Sequence, residues 1–229
     1  QPVIARKVTT AGLVLSVDEK SEFTTSEAYQ VVFTKNSDDV AYVAPAVDFT
    51  YNGPANLRVF PLVIVAEDAA TFAEAVKANK ENINVILAND LDVAISTIGQ
   101  TGAGDAKQMG GVDTKTITID LNNHKLNFTT TYWSVLGAKN SDAVVTIKNG
   151  TMTSSQATGT WNSYDLSFSN CNYNLENVVF EKAIALEAAN KVYNLKDVKI
   201  TETHDYYSIW ITAEGQNVNI DGLNIESAG

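Results

Sequence analysis

The sequence predicts an all-β solenoid, preceded by one helix and, before that, a β-rich segment of different character. Three observations predict it. Five stretches share one pattern: Leu121-Asn122-Asn123-His124-Lys125-Leu126, Ile147-Lys148-Asn149-Gly150-Thr151-Met152, Leu175-Glu176-Asn177-Val178-Val179-Phe180, Leu195-Lys196-Asp197-Val198-Lys199-Ile200 and Ile220-Asp221-Gly222-Leu223-Asn224-Ile225. Each has an aliphatic anchor, then Asn, Asp or Gly two residues on, then an apolar residue five on. The anchors lie 26, 28, 20 and 25 residues apart, and self-similarity at such a period marks a solenoid with loops of unequal length. Second, each repeat carries an earlier short strand centred on Leu136, Phe168, Leu186 or Ile211. Apolar residues alternate inside the strands, as at Ile117, Ile119 and Leu121, which places them on one face. Third, asparagine is unevenly spread, with three in residues 1–66 and fifteen in residues 115–229. Asn favours turns and tolerates left-handed backbone, so the repeat region turns often.

The elements follow in order. Residues 1–66 show apolar runs at 13–17, 29–33, 40–44, 47–51 and 57–65, separated by turn-like stretches such as Asn36-Ser37-Asp38-Asp39. They read as strands, either of a small sheet packed on the solenoid or of further irregular coils. Residues 68–80 read as a helix: Asp68 caps its start, Phe72 and Val76 share a face, Ala69 and Ala73 lie beside them, and Glu74 is within reach of Lys77. Ile83 to Leu87 read as a first coil strand. A short amphipathic helix at that point covers the open end of a solenoid, which otherwise presents unpaired backbone and bare core. Residues 95–114 hold five glycines and read as a mobile loop; Thr101-Gly102-Ala103-Gly104-Asp105 lacks the Gly-Lys-Ser/Thr ending of a phosphate loop. The last pattern ends at Ile225 with no capping helix after it; a truncated chain, a last coil twisted or covered by a loop, and two molecules meeting end to end are the three explanations, and this end is expected to contact another molecule.

Composition excludes several functions. There are 16 Lys+Arg against 27 Asp+Glu, a net charge of -11, which opposes nucleic acid and anionic lipid alike. No apolar run approaches the roughly 20 residues of a membrane helix. The single cysteine, Cys171, allows no intrachain disulfide and no multi-thiolate zinc site. Two distant histidines give no metal-ligand motif, and no metal or cofactor is expected. Gln1 in place of Met reads as a processed or recloned N-terminus, and an extracellular or cell-surface location is expected.

Ile119-Asp120-Leu121-Asn122-Asn123-His124-Lys125-Leu126 resembles the "IDLNGHTL" coil of secreted bacterial β-helices, and residues 80–229 resemble the right-handed parallel β-helix proteins of the pectin-lyase-like fold. The resemblance implies a single-stranded right-handed parallel β-helix of about five or six coils. It gives a β-helix domain over residues 67–229, with the capping helix at 68–80, after a β-rich N-terminal segment or small domain over residues 1–66. It also implies that Asn123, Asn149 and Asn177, with Asp197 following, stack at a coil corner. A ladder of amides there is structural, satisfying side chains from coil to coil; a sugar- or calcium-binding row is the other reading.

The aromatic residues carry the functional expectation. Tyr132, Tyr164, Lys182 and Tyr207 each stand four residues before a strand centre, and Trp133, Trp161, Tyr206 and Trp210 lie nearby. Coils stacked about 4.8 Å apart gather these rings on one side. Aromatic faces rimmed by polar groups suit sugar rings, with Asp165 and Asp205, and also Asn162, Ser163 and His204, able to hydrogen-bond. The candidate ligand-binding set is therefore Tyr132, Trp133, Trp161, Tyr164, Tyr207, Trp210, Asp165 and Asp205; alternatively the rings pack on one another and bind nothing. Catalysis is disfavoured. Both arginines, Arg6 and Arg58, precede the repeat, the carboxylates Asp165, Glu181, Glu187, Glu202 and Asp205 are scattered rather than paired as glycoside hydrolysis requires, and a polyanionic substrate meets a negative surface. The expected function is non-catalytic binding or adhesion toward glycans; a polysaccharide lyase or glycoside hydrolase of the pectin-lyase-like fold is the first alternative, a structural stalk the second.

Overall fold

A computed structural model describes residues 13–17, 21–23, 29–35, 38–40, 49–51, 55–61, 63–98, 107–130, 134–155, 166–201, 207–211 and 213–226. The chain divides into two compact units, 1–63 and 64–229.

In the first unit the strands are β1 (Leu13–Val17), β2 (Ser21–Phe23), β3 (Tyr29–Lys35), β4 (Asp38–Val40), β5 (Phe49–Tyr51) and β6 (Ala55–Pro61). β1, β6, β3 and β4 form one sheet in that order, and β2 pairs with β5. Every one of these pairings is antiparallel. They make two antiparallel sheets and not parallel coils.

The second unit is mostly parallel β-sheet, an arrangement compatible with the β-helix expected from sequence. It opens with β7 (Ile64–Ala66), the helix α1 (Ala69–Val76), β8 (Asn82–Leu87) and β9 (Leu91–Ala94), then a short 3-10 turn over Ile95–Thr97 and β10 (Lys107–Met109). There follow β11 (Thr116–Asp120), β12 (Lys125–Thr129), β13 (Val135–Ala138), β14 (Val144–Ser154) and β15 (Leu166–Ser169). The last are β16 (Asn172–Phe180), β17 (Ile184–Leu186), β18 (Val192–Ile200), β19 (Ile209–Ile211) and β20 (Asn217–Ile225). One sheet runs β7-β8-β11-β14-β16-β18-β20, with β9 and β12 joining it through β14; the other runs β10-β13-β15-β17-β19. Among the described residues no helix is long and apolar enough to cross a membrane.

The four short-strand centres stand in one register row: Leu136 beside Phe168, Phe168 beside Leu186, Leu186 beside Ile211. The repeat anchors do the same from Ile147 through Leu175 and Leu195 to Ile220. Inward rows fill one continuous core, for example Val85, Ile119, Ile147, Leu175 and Leu195, each at most 1% exposed. Tyr173 and Tyr193 extend a row begun by Ile83, Ile117 and Val145. Their rings stack at 5.6 Å. Their hydroxyls donate to the carbonyls of Ser169 and Phe168, each at 2.8 Å, so neither of these two buried phenols is left unpaired. Burial raises the pKa of both.

Three details depart from the sequence reading. Residues 107–109, within the stretch read as a loop, form β10 and pair in parallel with β13. The helix ends at Val76, because Lys77 already serves as its C-cap. Asp68 accepts from the Thr71 N–H at 2.8 Å and caps the other end, while Phe72 and Val76 are fully buried as α1 packs on β7, β8 and β9. Ile64–Ala66, read as the tail of an apolar run starting at Leu57, pair with β8 instead.

The corner of the first repeat differs most. In β14, β16, β18 and β20 the strand runs through the corner on one left-handed residue: Asn149 at φ 60°, Asn177 at 52°, Asp197 at 52° and Gly222 at 78°. Between β11 and β12 there are two, Asn122 at φ 51° and Asn123 at 64°. The partner of Ile147 is accordingly Ile119, not Leu121, whereas past the corner Leu126 faces Met152. This corner is two residues wider than the next. Gly150 accommodates it, since a Cβ there would stand 2.5 Å from Leu121 Cβ and 2.6 Å from the His124 carbonyl. Val178, Val198 and Leu223 fill the same row in later repeats, where no wide corner intrudes.

Candidate functional site

The two sheets of the second unit use their outward faces differently. On the first sheet buried and more exposed residues alternate on either side of the corner, as in β11 and in the two legs of β14. On the second sheet both faces of β13 and β17 are buried. Its outward row is Val135, Ser167, Ala185 and Trp210. Val135, Ser167 and Ala185 are at most 5% exposed, then Trp210 is 42% exposed. Tyr207 meets the Trp210 ring edge-on, with centroids 4.8 Å apart and planes at 84°. The indole is thus braced by the Tyr207 ring while part of it meets solvent. Of the sequence-predicted binding residues, this pair is brought together; Tyr132, Trp133, Trp161, Tyr164, Asp165 and Asp205 lie outside the described residues, as does His204.

Polar groups collect along the same flank. Ser167 donates to the Glu187 carboxylate, and the hydroxyls of Ser134 and Ser154 are 3.2 Å apart. Lys182, which takes the sequence position of the tyrosines in its repeat, is 8% exposed, and Ser134, Ser154 and Ser167 are at most 4% exposed. Sequence reasoning gave these serines no role, since a lone serine in a short strand has no periodic signal. Glu181 is held separately, accepting from Lys125 Nζ at 2.8 and 2.9 Å.

At the corner, the Asn177 amide donates to Asn149 Oδ1 at 3.2 Å, and the Asn149 amide reaches Asp120 Oδ1 at 3.2 Å. Asn123 follows through its backbone, its N–H donating to the Asn149 carbonyl at 2.6 Å. Asp197 Oδ1 would lie 2.8 Å from a Cβ on Gly222, which explains a glycine at the last corner. A second amide row, missed in the sequence, lies on the outward face of the strands. Asn219 donates to Asn194, Asn194 to Asn174, each at 2.8 Å, and Asn174 to Thr146 at 3.3 Å. Next to it runs a row alternating in charge: Asp120, Lys148, Glu176, Lys196 and Asp221. Its signal was the register itself, which only the strand pairing supplies.

His124 sits 3.2 Å from Asp90, and the Lys125 backbone N–H, followed by His124, holds the Asp90 carboxyl below its usual range. Cys171 is buried, and burial pushes its thiol up, away from the reactive thiolate. Among the described residues no group of three or more His, Cys, Asp and Glu could hold a metal ion. Comparison with known proteins gives no match: no family model, no curated protein and no solved structure matches this chain.

Proposed function

We propose that residues 64–229 form a right-handed parallel β-helix of about five or six coils, and that the protein is a non-catalytic binding or adhesion module. Its location is extracellular or at the cell surface, and its ligand is a glycan held against the aromatic flank. The parallel pairing of each strand with the equivalent strand of the next repeat supports the helix, and the strong bias of parallel crossovers toward the right hand supports its sense. The observation that carries the binding reading is Trp210. It is 42% exposed and braced by Tyr207, at the end of an outward row otherwise buried. A ring of this kind stacks on the apolar face of a sugar, and its fixed orientation lowers the ordering cost of binding. A glycan array read with wild type, Tyr207→Ala and Trp210→Ala tests it: signal is expected for wild type and is lost in Trp210→Ala. Binding unchanged in both variants moves the site elsewhere.

The amide rows support the stalk as a second reading, because Asn-to-Asn bonds along stacked strands stiffen a rod without any ligand. A blank array for wild type selects it.

A further inference from the structure

The left-handed corner residue of β14 is Asn149, at φ 60°, and Gly150 follows it. Different demands select the two. Left-handed backbone favours asparagine among residues that carry a side chain. Position 150 requires glycine, because a Cβ there would stand 2.5 Å from Leu121 Cβ and 2.6 Å from the His124 carbonyl oxygen of the wide corner beside it. Together they make an Asn-Gly step. The other described asparagines in left-handed backbone, Asn122, Asn123, Asn170, Asn177 and Asn190, precede Asn, His, Cys, Val and Lys. The other Asn-Gly step of the chain, Asn52-Gly53, lies outside the described residues.

An asparagine side chain can be attacked at Cγ by the backbone nitrogen of the next residue. A side chain on that residue hinders the approach; glycine has none, and has the widest backbone freedom. We propose that Asn149 is a site of spontaneous deamidation by ring closure with Gly150, and that the product reverses the interaction across the corner. The Gly150 nitrogen forms a bond to Asn149 Cγ and loses its proton, while the Cγ–Nδ2 bond breaks and ammonia leaves. Water then opens the cyclic imide at either of its carbonyls, giving aspartate or isoaspartate. One water enters and one ammonia departs, with no change of oxidation state. The surroundings favour the step. Asn149 is half-buried, so water reaches it. The Asn177 amide donates to its Oδ1 at 3.2 Å, and negative charge develops on that atom during the attack. Its own amide donates to the Asp120 carboxylate at 3.2 and 3.3 Å, long for N–H to oxygen, so it is loosely held.

The product matters because of Asp120. An amide at 149 donates to that carboxylate, whereas a carboxylate at 149 accepts only. The bond between β11 and β14 becomes a contact between like charges. Asp120 also accepts from the Asn122 backbone N–H at 2.9 Å and has Lys148 Nζ at 3.6 Å, which keep it facing the corner. Isoaspartate further lengthens the main chain inside β14, displacing Thr151 and Met152 against Val179 and Phe180.

The inference stands on register and hydrogen bonds, independent of any glycan. The full chain is aged in warm, mildly alkaline buffer, folded or in urea, and its peptides are mapped by mass spectrometry with an isoaspartate assay. In the folded chain Asn149 is expected to convert before Asn122, Asn123, Asn170, Asn177 and Asn190, faster as pH rises, and to yield isoaspartate. Asn149→Gly keeps the left-handed corner and removes both the amide and any carboxylate. Asn149→Asp is expected to unfold at lower urea concentration than Asn149→Gly, and Asp120→Asn added to Asn149→Asp to recover the difference; circular dichroism checks each fold. Asn149 still intact in the folded chain once the same step has converted in urea, or converting after the other asparagines, overturns the modification site. Asn149→Asp as stable as Asn149→Gly, or no recovery with Asp120→Asn, overturns the reversed contact.

Discussion

The two ends of the long parallel sheet present the same kind of residue in opposite conditions. Near the β7 end, Ile83 and Val85 of β8 are at most 2% exposed, Val85 lying beside Ile64 of β7, with Phe72 and Val76 of α1 fully buried nearby. At the β20 end, Ile220 belongs to the same inward row as Val85 and is 48% exposed. Nothing in the local sequence distinguishes them, since both are aliphatic residues alternating with Asn. Burial in a stacked sheet is given by neighbours on both sides, and an end is hydrophobic by position and not by composition. On the β8 side those neighbours are β7 and the helix α1 packed on it.

The contrast can be broken by mutation. All three tryptophans, Trp133, Trp161 and Trp210, lie in the second unit, so their fluorescence during urea unfolding follows that unit. Phe72→Ala removes the largest side chain of α1 and is expected to cost about 3–5 kcal/mol. Leu195→Ala, in the interior of the row, is expected to cost about 2–5 kcal/mol. Ile220→Ala should cost clearly less, because much of its side chain already meets water; equal costs for Leu195 and Ile220 would show that Ile220 is covered in solution. At the corners, Asn177→Ala is expected to lose about 1–2 kcal/mol, the penalty of left-handed backbone for a residue with Cβ and no local amide, whereas Asn177→Gly keeps the conformation and loses only the bond to Asn149.

The smallest effect concerns the helix cap. The Thr71 backbone N–H lowers the Asp68 pKa from 3.8. A carboxyl depressed on folding stabilises above its unfolded pKa, and that contribution fades as pH falls through the folded value. The protection of the Thr71 amide, relative to its intrinsic exchange rate at each pH, is therefore expected to fall below pH 3.8 in wild type, and to show no such step in Asp68→Asn.

Much of this arrangement is legible in the sequence, and the limits have physical causes. Period-two alternation and the recurring Asn, Asp or Gly located the strands, and the row from Leu136 to Ile211 followed from counting. Leu121 was matched to Ile147 because both precede an Asn by two residues; a corner holding two left-handed asparagines keeps that spacing while shifting the strand before it. β10 was invisible because three residues next to glycines carry no period. Lys182 shows a different limit: position in the repeat predicted an aromatic flank, but whether a side chain there is buried depends on residues far away in sequence. Tyr173 and Tyr193 carry no sequence signal of their role, their phenol partners being carbonyls supplied by other strands.

The wide corner at 121–124 couples two distant choices. A corner can widen only if the neighbouring strand yields the same space, and here a missing side chain at position 150 yields it. Gly150→Val alone is thus expected to be poorly tolerated, and deletion of Asn122 and Asn123 alone to leave a void. Made together, the two changes should restore one another, as a lesion and its intragenic suppressor do.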